Sequence, residues 1–363
     1  MKTANLINQS CRKTLVGLSA LALLLVGCAK STTYSLLADE NTFSQNSSKI
    51  SGKMDILWVI DNSGSMDSSQ QAIIDNFQRF VEKFKDKGFD FRMAVTTTDS
   101  YKALFAANNA SYTGYDKFRD GNDVEKNYSG YFVIDPSVPD WESKILVNLK
   151  QGIWGSGDER AFQSMKVALN SPLNTGFLRP DAFLSVIIVS DEDDFSWNGS
   201  GSKAGQYTYS GLHTVQSYVD FLDSITGATA ANRSQKYNVN SIAVLDETCR
   251  QALDSKITGR RIGQRYIELS NLTGGIKGSL CDDFGTTLAD ISTKLIELAT
   301  TFYLNRVPNP DSIVVIVNGA QVSSDPVNGY QYDATANSIS FHGTAIPGPG
   351  AAISVAFDPL SLK

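Results

Sequence analysis

The segment Met54-Asp55-Ile56-Leu57-Trp58-Val59-Ile60 is almost continuously apolar and stops at Asp61. A run of that length without polar alternation suits a strand covered on both faces, as in a parallel sheet sandwiched between helices. Behind it Ile73, Phe77, Phe80, Val81 and Phe84 recur at helical spacing, and Gly88 closes the pattern. The order strand, loop, helix then repeats. Phe91 to Thr97, Phe183 to Ser190 and Tyr237 to Leu245 read as further strands. Helical spacing predicts helices over 141–150, 159–170, 213–226, 261–272 and 284–303, the last with Leu288, Ile291, Leu295, Leu298 and Phe302 on one face. Strands alternating with amphipathic helices pair in parallel through right-handed crossovers. The expected class is therefore α/β, a doubly wound, mostly parallel sheet with ligands at its carboxyl edge.

Two connections are longer than such folds need. Residues 99–140 hold Tyr101, Phe105, Tyr112, Tyr115, Phe118, Tyr128 and Tyr131 among Asn, Asp and Gly, and 195–212 is Gly/Ser-rich with Trp197, Tyr207 and Tyr209. Loops of this length are often functional, although each aromatic taken singly is explained by local packing. After Val307-Pro308-Asn309-Pro310-Asp311 the period changes to two, with Ile313, Val315 and Val317, an Asn318-Gly319 turn and a closing Ile353, Val355 and Phe357. That predicts a linker at 306–311 and a small antiparallel β domain over 312–363, marginal alone and leaning on the larger domain, 53–305.

The start of the chain is a targeting segment. Lys2, Arg12 and Lys13 precede the apolar stretch 15–26, shorter than the roughly 20 residues that span a bilayer. It closes in Leu25-Val26-Gly27-Cys28, which resembles the bacterial lipobox. The resemblance implies a signal peptide over 1–27 and a lipidated Cys28. It also implies an outer-membrane address, since Ala29 follows the cysteine, with the protein facing the periplasm or the cell surface. Three acyl chains at ~0.8 kcal/mol per buried methylene would make the anchorage permanent. Residues 28–52 are rich in Ser, Thr, Asn and Lys and read as a flexible tether. Cys11 leaves with the signal, so Cys249 and Cys281 are the free pair in an oxidising compartment and are expected to be bridged. The 32 basic and 38 acidic residues give a net charge of −6, and the leader removes three basic residues and no acid, leaving −9. A surface of that sign repels phosphates, and no nucleic acid is expected as a partner. The two histidines, His213 and His342, are too few and too far apart for a His-rich metal site or a His-dependent triad.

The most informative residues are Asp61-Asn62-Ser63-Gly64-Ser65-Met66, directly after the first buried strand. Asp61, Ser63 and Ser65 alternate and can present one carboxylate and two hydroxyls to one point. Asp191, at the end of another apolar strand, converges on the same edge. All are hard oxygen ligands, which suit a divalent cation, Mg²⁺ first and Mn²⁺ or Ca²⁺ as alternatives. Ordinary helix capping by Ser and Asp is the competing use of these residues. Here the sequence resembles the von Willebrand factor A domain shared with integrin inserted domains, over roughly 53–305. Its metal-ion-dependent adhesion site is Asp-x-Ser-x-Ser followed by a later Thr and a later Asp. Asp61, Ser63 and Ser65 match the first motif and Asp191 the later Asp. The Thr has no clean match. Gly155-Ser156-Gly157-Asp158-Glu159-Arg160 stands where it is expected, with Asp158 as the candidate ligand and Ser156 or Glu159 as alternates. Pairing with Arg160 is the other use of Asp158. Asp193 and Asp194 are expected to be solvated neighbours of the site.

These observations favour a lipid-anchored envelope binding protein that holds a protein or glycan through the ion, with an acidic group of the partner as the expected contact. The alternative is a structural subunit of an envelope assembly in which the metal only stabilises the fold. No catalytic role is expected: Ser63-Gly64-Ser65 lacks a Gly-x-Ser-x-Gly elbow, and no Walker or dinucleotide glycine pattern occurs.

Overall fold

The first strong apolar run does form a central strand, and the rest of the sheet is built around it. The computed structural model describes residues 43–45, 52–83, 85 and 88–360, all within the unit Asn41–Lys363. The leader, Cys28, most of the 28–52 tether and Phe84 lie outside the described residues. In chain order come β1 (Phe43–Gln45), β2 (Lys53–Ile60), α1 (Asp67–Val81), β3 (Asp90–Thr97), β4 (Gly121–Asn122), β5 (Asn127–Tyr128), β6 (Val133–Ile134), α2 (Trp141–Leu149), α3 (Ala161–Asn170) and β7 (Phe183–Ser190). They are followed by α4 (Val215–Thr226), β8 (Tyr237–Ala243), α5 (Glu247–Asp254), α6 (Gln264–Thr273), β9 (Lys277–Ser279) and α7 (Phe284–Thr300). The remainder is β10 (Phe302–Tyr303), β11 (Val314–Val317), β12 (Ala320–Val322), β13 (Tyr330–Asp333), β14 (Ser338–Phe341) and β15 (Ile353–Phe357).

The main sheet has the order β6-β3-β2-β7-β8-β9, and every pair is parallel except the edge pair β3–β6. Alternate residues of β2 serve opposite layers, as the pleat requires. Met54, Ile56, Trp58 and Ile60 join Phe77 and Phe80 of α1 and Leu288, Ile291 and Leu295 of α7, while Leu57 and Val59 join Phe162 of α3, Tyr218 of α4 and Tyr266 of α6. The Trp58 ring lies 5.2 Å from that of Phe80 and 6.3 Å from that of Phe77. Each such side chain contributes about 1.5–3 kcal/mol by leaving water. Among the described residues no helix is long and apolar enough to cross a membrane.

Beyond α7 two small antiparallel sheets, β1-β15-β11-β12 and β10-β14-β13, enclose their own core of Val315, Ile339, Phe341, Ile353, Val355 and Phe357. Two expectations are corrected here. The last helix ends at Thr300, not 303, because the hydroxyls of Thr300 and Thr301 donate back to the carbonyls of Ile296 and Glu297 and the chain then turns extended. Phe302, which continues the helical spacing from Leu298, is buried in the β module instead, and β10 pairs with β14. Residues 43–45, read as part of a tether, form β1 and pair antiparallel with Val355–Phe357 of β15. Pro308 bridges to Pro359, so the 306–311 stretch borders the sheet.

Cys249 of α5 and Cys281 after β9 are joined by a disulfide that closes a 32-residue separation. On the chain-entropy account, replacing both cysteines by serine is expected to lower stability by about 3–4 kcal/mol. Urea unfolding checks this, and an unchanged midpoint would show that the bridge contributes nothing to the folded state.

Candidate functional site

Parallel pairing sets Ile60 of β2 beside Val189 of β7, so Asp61 and Ser190-Asp191 leave the sheet side by side. Asp61 is fully buried. One of its carboxylate oxygens accepts the Ser63 N–H at 2.8 Å and the other accepts the Ser190 hydroxyl at 2.7 Å. The Ser63 and Ser65 hydroxyls lie 3.2 Å apart, and Ser65 Oγ donates to Asp191 Oδ1 at 3.0 Å. Asp61, Ser63, Ser65 and Asp191 thus form one continuous hydrogen-bonded chain across two strand ends. Gln70 of α1 holds the turn from behind, its amide N–H donating to the carbonyls of Asp61 and Gly152 while its oxygen accepts the Gly152 N–H.

Burial, reinforced by the Asp191 charge, pushes the Asp61 carboxyl up to about 7. Burial also raises Asp191, against the pull of Ser65 and Arg260. Glu192 is pushed up to about 7 by burial and then by the charges of Asp61 and Asp191. Acids crowded out of water in this way favour protonation or a nearby cation. Part of that cation is already in the chain. Arg260, on the loop between α5 and α6 and only 7% exposed, donates from Nε to Asp191 Oδ2 at 2.9 Å. Among the described residues no three His, Cys, Asp or Glu side chains are grouped to hold a metal. The donor set is instead two carboxylates and two hydroxyls, all hard oxygens, which suits a Mg²⁺-like ion rather than a soft metal.

At the third position Asp158 has one oxygen bonded and one open, Oδ1 being buried with no hydrogen-bond partner among the described residues. Its Oδ2 accepts Arg160 Nη2 at 2.7 Å and the Tyr101 hydroxyl at 3.0 Å, so this carboxylate is turned into a pair with Arg160. Ser156 accepts the Asp158 N–H. Glu159, the other alternate, is fully buried. Burial raises its carboxyl well above the usual range and the Asp61 charge raises it further, against a hydrogen bond from Thr98.

Asp193 and Asp194 are not solvated; both are fully buried. Asp194 accepts the Phe162 N–H at 2.9 Å, capping α3 in place of Arg160, whose side chain makes no capping bond. It also accepts the N–H and hydroxyl of Ser196 and pairs with Arg265. Asp193 accepts the Asp194 N–H and the Arg265 N–H. Arg160 is itself fully buried and donates to the carbonyls of Trp197, Gly199 and Gly201, fastening the 195–212 insertion over the site. There Trp197 and Tyr209 pack edge to face at 5.5 Å with Lys203 over both rings, while Tyr207 packs on Phe195 with ring centroids 5.0 Å apart and hydrogen-bonds Asp193. Arg260, Ser190 and Gln70 carry no motif in the sequence, and only the sheet register brings them to Asp61 and Asp191.

No family profile and no curated protein matches the chain. Among solved structures it is similar to proximal thread matrix protein 1 from the mussel byssus, with a TM-score of 0.37 and 14% identity, over 70% of this chain and 50% of that one. It is also similar to the pilus adhesin SpaC from Lactobacillus rhamnosus GG in its open conformation, with a TM-score of 0.38 and 12% identity, over 87% of this chain and 40% of that one. The chain therefore spans half or less of either protein.

Because Arg160 is a buried cation with one carboxylate partner and three carbonyl partners, Arg160→Met leaves Asp158 uncompensated. The expected loss is about 3–5 kcal/mol, with new protease cleavage within 197–201. Urea unfolding and limited proteolysis measure both, and wild-type values for the two would remove Arg160 from this fastening role.

Proposed function

We propose that this chain is a lipid-anchored binding protein of the bacterial envelope whose von Willebrand factor A-like domain holds a protein or glycan partner at a metal-ion-dependent adhesion site. The observation that carries the reading is the hydrogen-bonded chain from Asp61 through Ser63 and Ser65 to Asp191 at the ends of adjacent parallel strands. Asp61, Ser63, Ser65 and Asp191 would hold a divalent cation, Mg²⁺ before Mn²⁺ or Ca²⁺. A bound cation offers an electrophilic position to an acidic oxygen of a partner. Asp158 would help through Oδ1, since Oδ2 is held by Arg160 and Tyr101, with Ser156 or Glu159 as alternates. Arg260 shares Asp191 with the ion and sets how much positive charge the site accepts. The anchor is Cys28, on the strength of the lipobox, and the reading includes no catalytic activity. One observation favours the structural-subunit alternative: Arg260 gives Asp191 a cation of its own, so the fold has an internal counter-charge without a metal.

Thermal unfolding with and without Mg²⁺, Mn²⁺ or Ca²⁺ separates the two. On the binding reading, ion at ~100 times Kd adds about 2.7 kcal/mol and raises Tm, and Asp61→Ala abolishes the increase. Arg260→Gln is expected to tighten ion binding, because it removes a competing charge from Asp191. If partner capture is unchanged in chelator and in a folded Asp61→Ala variant, the adhesion mechanism gives way to the structural subunit. For the anchor, the precursor is expected to incorporate palmitate and fractionate with membranes. Equal labelling of Cys28→Ser would dismiss lipidation at that residue.

A further inference from the structure

Next to the candidate ion site, between the Asp61 turn and the 99–140 insertion, lies a polar recess of about 120 Å³. Asn62, Thr97, Asp99, Arg119 and Asn122 line it, and Trp154 stands at its rim. Of the lining atoms with no hydrogen-bond partner among the described residues, Asp99 Oδ1 is ion-paired with Lys102 at 2.7 Å, which leaves three: Thr97 Oγ1, Arg119 Nε and Asn122 Nδ2. Thr97 and Asn122 are 1% and 3% exposed, so their polar atoms are not satisfied by bulk water. Trp154, in contrast, is 76% exposed, more than any other large apolar side chain described.

That exposure is built, not incidental. The Gly152-Ile153-Trp154-Gly155 loop is pinned at both ends, by Gln70 on Gly152 and by the Gly155 N–H donating to the Asn62 carbonyl at 2.7 Å. A Cβ at Gly155 would sit 2.4 Å from the Asn62 side chain, and Gly152 adopts a φ of +74° with Asn122 packed against it. Both glycines let the loop lie flat on the recess while the indole projects outward.

The lining selects among ligand chemistries. The charges here are already paired, Asp99 with Lys102 at 2.7 Å and Arg119 with Asp123 at 3.6 Å, so among the described residues the recess offers an acidic group no uncommitted cation. An apolar side chain would cover the three unpartnered polar atoms without bonding them. The volume lies below the roughly 300–1,000 Å³ of sites that enclose a drug-sized ligand, so one ring enters and the remainder stays outside. A pyranose meets all three conditions. Its C–H face is apolar enough to lie on an indole, and its vicinal hydroxyls both donate and accept. We propose that this recess is a sugar-binding subsite that takes one pyranose ring of a neutral glycan, stacked on Trp154 and hydrogen-bonded by Thr97, Arg119 and Asn122. The proposal names the partner class within the binding function above and rests on that reading, though not on the ion.

The test titrates the full-length protein with methyl glycosides of glucose, galactose, mannose and N-acetylglucosamine and with their neutral oligosaccharides. Saturation-transfer NMR and tryptophan fluorescence give the readout. At least one is expected to bind, with affinity falling about tenfold or more in Trp154→Ala, kept largely in Trp154→Tyr and reduced in Asn122→Ala. Trp154→Ala is exposed and should keep the wild-type Tm and its response to Mg²⁺. Absence of binding by every sugar overturns the proposal, as does binding that is indifferent to Trp154→Ala. Trp154-dependent capture of neutral peptides without any sugar binding assigns the recess to a peptide and overturns it equally. Sugar binding in a protein whose Tm ignores divalent ions supports the subsite while refuting the ion reading.

Discussion

Two carboxylates leave adjacent parallel strands at the same level, because β2 and β7 pair with Ile60 beside Val189. Nothing about either residue alone demands a site. Asp61 would be an ordinary strand-end acid if β7 ended in a small neutral residue, and Asp191 an ordinary loop acid if it were wet. Brought together out of water, both are costly to ionise, burial being the first cause for each and the Asp191 charge a second for Asp61. The surrounding chain is arranged around that cost. Ser190 and the Ser63 N–H hold Asp61, Ser65 and Arg260 hold Asp191, and the hydroxyls between them link the two.

A second tier of charge extends outward from this pair. Asp158 with Arg160, and Asp194 with Arg265, are buried ion pairs, and such pairs repay their desolvation only when hydrogen bonds satisfy the remaining polar atoms. Here backbone takes most of those bonds, while Asp158 Oδ1, Arg160 Nε and Arg265 Nε have no hydrogen-bond partner among the described residues. Arg160 gathers three carbonyls of the 195–212 insertion, and Asp194 caps α3 and accepts the Ser196 N–H. Their contribution is therefore best seen as geometry: they fix where the loops around the carboxyl edge run, and the apolar layers supply the stability.

The layered fold was legible because its signals are local and strong. Met54 to Ile60 and Phe183 to Ser190 are buried on both faces and read as such without alternation, and α1 and α7 each show one apolar face. What escaped had no period to read. Among the residues of α5 only Cys249 is buried, β9 has three residues, and β1 belongs to a polar stretch whose partner lies over three hundred positions away. The site divides in the same way. Asp61, Ser63, Ser65 and Asp191 could be named from strand ends, whereas the choice between Asp158 and Glu159 turns on which way two neighbouring side chains point. Asp193 and Asp194 looked solvated because acids usually are. Their burial depends on Arg265, seventy-odd residues later, which no spacing rule connects to them.

The Asp61 turn and the Trp154 recess share a wall, and the bonds that join them determine how independent they can be. Asn62 contributes its side chain to the recess and its carbonyl to the Gly155 N–H, while the neighbouring Asp61 carbonyl accepts from Gln70, which also clasps Gly152. Every one of these contacts ends on backbone, and Gln70 is buried. Such a connection is a brace rather than a switch, since coupling between sites requires an element with two arrangements and these bonds define one. A partner that places a ring on Trp154 and an acidic oxygen near Asp61 would meet two preset positions, and its gain would come from engaging both at fixed separation.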